Sequence, residues 1–144
     1  MQTVGATVVV KQLLIGSLVI AATVAIHAEM FGFLSRRHDR IISGARARLG
    51  RFGDTAFIMT GVLYIMLVHT IEVWLWALVL MITEGIAGFE PALYFSLVSF
   101  TTLGYGDLIP VKEWRLLAGL IGANGFLLFG WSTAFMFELV RRTR

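Results

Sequence analysis

The chain contains no cysteine, which removes disulfide staples and thiolate metal ligands at once. Charge is scarce as well. Only 15% of the 144 residues are Asp, Glu, Lys or Arg, against about a quarter in ordinary soluble domains. No His, Asp and Glu group has metal-ligand spacing along the sequence and no nucleophile is paired with a base, so no enzyme, catalytic residue or cofactor is expected. The formal net charge of +3 is too small to argue for a nucleic-acid partner. What the chain has in plenty is apolar: 58% hydrophobic residues and a mean hydropathy of +0.82, the composition of a membrane protein.

Three apolar stretches, residues 7–34, 55–83 and 113–140, each exceed the roughly 20 residues a helix needs to cross the hydrocarbon layer. A fourth, 92–101, is too short to span. Followed by glycines, it reads as a re-entrant element, tolerated at membrane depth only inside protein or beside a water-filled cavity. The expected architecture is all-α, with three transmembrane helices and a re-entrant helix between the second and third. It divides into an N-terminal span (1–34), a basic connection (35–54) and a pore-like unit (55–144). Nine of the 12 basic residues lie in the first connection or at the C-terminus. The positive-inside rule makes those segments cytoplasmic and the N-terminus external, in a cell membrane. A cleaved signal peptide is not expected, because no basic residue precedes Lys11 and the first apolar run is long. Only four residues follow Val140, so any gating stimulus is expected from lipid, tension, pH, voltage or a partner.

Within the connection, Leu34, Ile41, Ile42, Ala45, Leu49 and Phe52, with His38, recur at helical spacing. Arg36, Arg37, Arg40, Arg46, Arg48 and Arg51 lie elsewhere around the axis. This predicts an amphipathic helix lying on the cytoplasmic interface, with its arginines near anionic lipid phosphates. His27 and Glu29 are expected to reach that interface. His69 and Glu72 lie mid-membrane one turn apart, where a buried hydrogen bond or a proton-sensitive pair would fit.

The densest signal is T-T-L-G-Y-G-D at 101–107, inside "ALYFSLVSFTTLGYGDLIPVKEW". A bare cation crossing hydrocarbon must exchange its hydration water for a similar number of oxygens. Successive backbone carbonyls can supply them if several copies surround one axis. Turning consecutive carbonyls the same way needs φ > 0 at alternate residues, which glycine permits; Gly104 and Gly106 stand there. The Thr102 hydroxyl adds an oxygen at the inner end, and Tyr105 can brace the strand from behind. Glu90 and Pro91 suit the start of an inward-aimed helix whose negative end faces the membrane centre.

This stretch resembles the selectivity filter of the pore-loop potassium channel superfamily, and the likeness extends over about residues 55–140. It implies K⁺ coordination by the carbonyls of Thr102, Leu103, Gly104 and Tyr105, with Gly106 and Asp107 at the outer mouth, Thr101 in support, and a homotetramer around the pore. K⁺ would be the permeant ion. Three residues depart from the family pattern. Leu103 replaces valine or isoleucine. Phe95 replaces a tryptophan that bonds the aspartate, and Val98 a glutamate that pairs with it. Asp107 is therefore expected to lack its customary partners. A weakly selective cation channel and a non-conducting regulatory subunit are the alternatives.

In the third span Asn124 and Glu138 are nearly four turns apart and share a face with Leu127, Trp131, Ala134 and Phe135. A water-filled cavity would satisfy that face, with Glu138 ringing the cytoplasmic mouth and Trp131 or Phe135 forming a constriction. Helix–helix hydrogen bonding for Asn124 and a terminal salt bridge for Glu138 are the simpler alternatives. Gly119, Gly122 and Gly125 suggest close helix packing, or a bend.

Overall fold

The structure, a computed structural model, describes residues 5–143. Arg144, counted above toward orientation, lies outside them. All regular structure among these residues is helical: α1 (Ala6–Leu49), α2 (Gly53–Ile82), α3 (Phe89–Phe100) and α4 (Arg115–Thr143), with single 3₁₀ turns at Gly50–Phe52 and Lys112–Trp114. Two stretches are long and apolar enough to cross a bilayer, Ala6–Ile82 and Lys112–Arg141. The first is folded in two at Gly50.

The first helix departs from expectation. It runs 44 residues without a break at Leu34, about 66 Å at 1.5 Å per residue. No proline interrupts it, and one buried stripe continues in register: Gln12, Gly16, Val19, Thr23, His27, Phe31, Leu34, His38 and Ile42. The segment predicted to lie apart on the interface instead extends the span. Part of its apolar stripe meets protein: Leu34 and Ile42 pack with Phe57 and Leu139 and His38 lies edge-on to Phe57, while Leu49 and Phe52 stay exposed. The arginines at 36, 37, 40, 46, 48 and 51 are all exposed.

The chain reverses at Gly50, which has φ +52. Gly53 then allows α2 to lie against α1, since a Cβ there would come within 2.6 Å of the Arg46 Cα. Arg46 Nε donates to Asp54 Oδ1 at 2.6 Å, and farther along the Tyr64 hydroxyl donates to the Met30 carbonyl. These pairings run in opposite chain directions, so α1 and α2 form an antiparallel hairpin. The short α3 is wedged between α2 and α4: Trp76, Ala77 and Leu80 of α2 enclose Ala92, Phe95 and Phe100, with Leu117, Ile121 and Leu128 of α4 behind.

In lipid, apolar burial drives helix association weakly, so close packing and buried hydrogen bonds carry more of it. α1 supplies those bonds to α4. Gln12 accepts from the Leu116 N–H and Thr23 pairs with Asn124. Leu14, Leu18, Leu63 and Ile82 are among the large apolar side chains left exposed, the surface expected against lipid or neighbouring copies.

Candidate functional site

Gly88, with φ +90, starts α3. At 12 residues, about 18 Å, this helix is too short to cross ~30 Å of hydrocarbon. Glu90 lies in its first turn and Pro91 falls where a missing N–H goes unnoticed. At the other end the chain is pinned. The Thr101 hydroxyl donates to the Leu97 carbonyl, and the Thr102 N–H to the Ser99 carbonyl. The Val98 carbonyl accepts from the N–H groups of both Leu103, at 3.0 Å, and Gly104, at 3.2 Å.

Past that knot, φ is +60 at Thr102, +56 at Gly104 and +78 at Gly106. Leu103 and Tyr105 lie between them without positive φ, so the backbone alternates. At Thr102 the left-handed conformation costs about 1–2 kcal/mol in a residue with a Cβ, a strain held only where the surroundings over-determine it. Leu103 and Tyr105 are 56% and 67% exposed, so the brace predicted for Tyr105 does not form within one chain. An open cleft of about 360 Å³, lined by Tyr94, Val98, Thr102, Gly106, Asp107 and Gly122 among others, flanks the segment.

Neither Phe95 nor Val98 offers Asp107 a side-chain bond, but Asp107 is held from elsewhere. Tyr94 donates its hydroxyl to Asp107 Oδ2 at 2.6 Å, and the Leu108 N–H donates to Oδ1. Phe95 and Val98 are instead core residues, and Val98 holds the loop through its carbonyl. The signal missed was adjacency: the hydroxyl-bearing aromatic lies one position before Phe95. Tyr94→Phe is expected to free one oxygen of the Asp107 carboxylate. It should hasten the decay of current during sustained opening several-fold; an unchanged decay would remove Asp107 anchoring from the account.

α4 approaches the pinned end of α3 through glycines. A Cβ at Gly122 would lie 3.4 Å from the Ser99 carbonyl oxygen, and one at Gly125 would overlap the Phe100 carbonyl; Gly119 has nothing within 4 Å.

The residues expected on one cavity face of α4 are divided by the structure. Asn124 is 1% exposed and donates to Thr23 at 2.8 Å; Phe135 stacks on Phe31 with ring centroids 4.2 Å apart; Trp131 lies against His27. These turn toward α1, whose polar stripe the periodicity of α4 alone cannot reveal. Leu127 and Ala134 stay uncovered. Glu138 is paired with Arg141 at 2.7 Å.

His27 and Glu29 also part. Glu29 is exposed, whereas His27 is fully buried and bonded to Glu72 at 2.8 Å. His69 bonds the other oxygen of Glu72. Although no metal-ligand spacing is visible in the sequence, the fold brings donor atoms of His27, His69 and Glu72 within 4.8 Å of one another.

A family model described as an ion channel matches residues 66–142, more than half of the 144-residue chain. The chain belongs to the ion channel family. Neither the curated proteins nor the solved structures contain a match to it. The matched part of the channel runs from mid-α2 through α3 and the glycine-alternating segment into α4. α1 lies outside the match, and its polar bonds to α4 join an unmatched helix to a matched one.

Proposed function

We propose that four copies of this channel subunit enclose a K⁺-selective pore, with the segment Thr102–Gly106 as its filter. The observation that carries the reading is the alternation of positive φ at Thr102, Gly104 and Gly106 within T-T-L-G-Y-G-D. K⁺ is coordinated by the carbonyls of Thr102, Leu103, Gly104 and Tyr105, and the protein conducts passively, without cofactor or catalysis. α3 is the re-entrant pore helix, and its negative end stabilises a cation at the membrane centre. A symmetric ring of copies gives the exposed Leu103 and Tyr105 the neighbours that one chain lacks.

In this reading α1, α2 and α4 are three spans of the cell membrane, with the N-terminus outside and the C-terminus cytoplasmic. α1 packs on the rim of the tetramer. The exposed Arg36, Arg37, Arg40, Arg48 and Arg51 meet anionic lipid, while Arg46 is already bonded to Asp54. The pore ring assigned to Glu138 competes with its pairing to Arg141.

Selectivity is tested by the reversal potential of reconstituted protein with K⁺ on one side and Na⁺ on the other. A strong displacement toward the K⁺ equilibrium is expected. Reversal at zero would mean a weakly selective cation channel, and silence in all ions a non-conducting subunit.

A further inference from the structure

His27 of α1, His69 and Glu72 of α2 and Ser132 of α4 form a closed ring of four contacts. Glu72 Oε1 faces His27 Nδ1 at 2.8 Å, and Oε2 faces His69 Nδ1 at 2.9 Å. On the far side Ser132 Oγ lies 2.9 Å from His69 Nε2 and 3.4 Å from His27 Nε2. His27 and Glu72 are fully buried, and His69 and Ser132 are 4% and 5% exposed. The surroundings add no charge. Phe31 and Trp131 flank His27, Phe100 of α3 and Phe129 of α4 flank His69, and the neighbouring Thr23–Asn124 pair is neutral. The ionisable groups facing the ring from the four helices are therefore its own members.

Each contact needs one hydrogen between its two heavy atoms. An ionised Glu72, two neutral imidazoles and the serine hydroxyl bring three hydrogens to four contacts and leave a net charge of −1. One added proton completes the count. His27, as imidazolium, donates to Glu72 and to Ser132; Ser132 donates to His69 Nε2; His69 Nδ1 donates to Glu72. The same proton makes the ring electrically neutral, the state that burial among apolar side chains favours. A second proton would place two hydrogens in one contact and leave a charge of +1.

We infer that this ring is a binding site for one proton which fastens α4 to α1 and α2, and that its occupancy controls conduction. The control of conduction rests on the channel reading above; the proton site does not. A divalent metal fits these donors less well. Ligands of tetrahedral zinc at about 2.0–2.1 Å stand about 3.3 Å apart, wider than the 2.8 and 2.9 Å found between Glu72 and the two imidazoles. A doubly charged ion on one carboxylate would also leave buried positive charge.

Glu72→Gln separates the alternatives. The amide accepts at its oxygen and donates one of its two hydrogens, so with two neutral histidines and Ser132 all four contacts are filled without an added proton. Wild-type and variant tetramers are compared in melting temperature and K⁺ flux from about pH 5 to about pH 9. Above about pH 6.5, where the histidines of the unfolded chain are neutral, the wild type is expected to lose thermal stability with rising pH, as the proton leaves and a contact opens, and to change its flux over the same interval. Glu72→Gln should assemble, keep a flat flux and lose no stability as pH rises; below about pH 6.5 its melt falls, because both buried neutral histidines charge on unfolding. In Ser132→Ala the second His27 hydrogen has no acceptor, so the midpoint should move down by about one pH unit, a tenfold weaker hold on the proton. A wild-type profile retained in Glu72→Gln, or a flat wild type, overturns the proposal. Should Glu72→Gln fail to assemble, an unmoved midpoint in Ser132→Ala does so. Stoichiometric metal in purified protein, with a transition abolished by chelator, replaces the proton site with a metal site. A pH-dependent melt in protein that conducts no ion overturns the channel reading and leaves the proton site standing.

Discussion

Gly125→Ala is expected to lower the melting temperature of the assembled protein and to abolish its ion flux. The added methyl would overlap the carbonyl of Phe100, with the carbonyl carbon 2.7 Å and the Phe100 ring 2.9 Å away. Neither neighbour can yield. Phe100 is fully buried, and two residues earlier the Val98 carbonyl holds the N–H groups of Leu103 and Gly104. α4 must move off the end of α3, or α3 must tilt and carry the loop with it. Overpacking of this kind costs about 1–3 kcal/mol per site, and a symmetric assembly repeats it in every copy. Gly44→Ala is the matched control. Gly44 lies exposed in α1 with nothing within 4 Å of a new Cβ, so alanine should stabilise the helix by up to about 1 kcal/mol. Fluorescence melts and gel filtration of the two variants should diverge; equal melts would mean that the approach of α4 to α3 is not tight.

Gly104→Ala is expected to stop conduction while leaving assembly intact. Here the obstacle is conformational: Gly104 has φ +56 and nothing within 4 Å of a new Cβ. Alanine pays about 1–2 kcal/mol in that left-handed conformation, or about 4–8 kcal/mol over the four copies of the proposed tetramer. The cheaper response is for the peptide unit to leave the left-handed region and turn its carbonyl away from the axis. The core among α2, α3 and α4 does not include Gly104, so the rest of the fold has no reason to follow.

Which parts of this were readable in advance follows from the range of the forces involved. α2 and α4 fall within a few residues of the apolar runs that predict them, and α3 is marked by Glu90, Pro91 and the glycines beyond it. Those signals are local. The unbroken α1 was hidden because its buried stripe changes chemistry, from Gln12, Thr23 and His27 to Leu34 and Ile42, without changing period. Read by hydropathy it is two segments, while read by spacing it is one. Asn124 and Phe135 were misplaced for a related reason. Their own helix says that they share a face but not that α1 covers it. The Glu72 ring draws on residues 45 and 105 positions apart, a distance at which one sequence carries no pairing signal. Tyr94 escapes for another reason: it lies one position before Phe95, outside the positions from which the family pattern supplies a partner to Asp107.

In the proposed tetramer the carbonyls of residues 102–105 form the path for K⁺. That path is tested most directly by K⁺ flux into liposomes reconstituted with purified protein, measured with and without Ba²⁺, wild type beside Gly104→Ala. Ba²⁺-sensitive flux is expected in the wild type and none above protein-free liposomes in the variant, with both proteins eluting as the same oligomer. Undiminished, Ba²⁺-sensitive flux through Gly104→Ala would contradict that path.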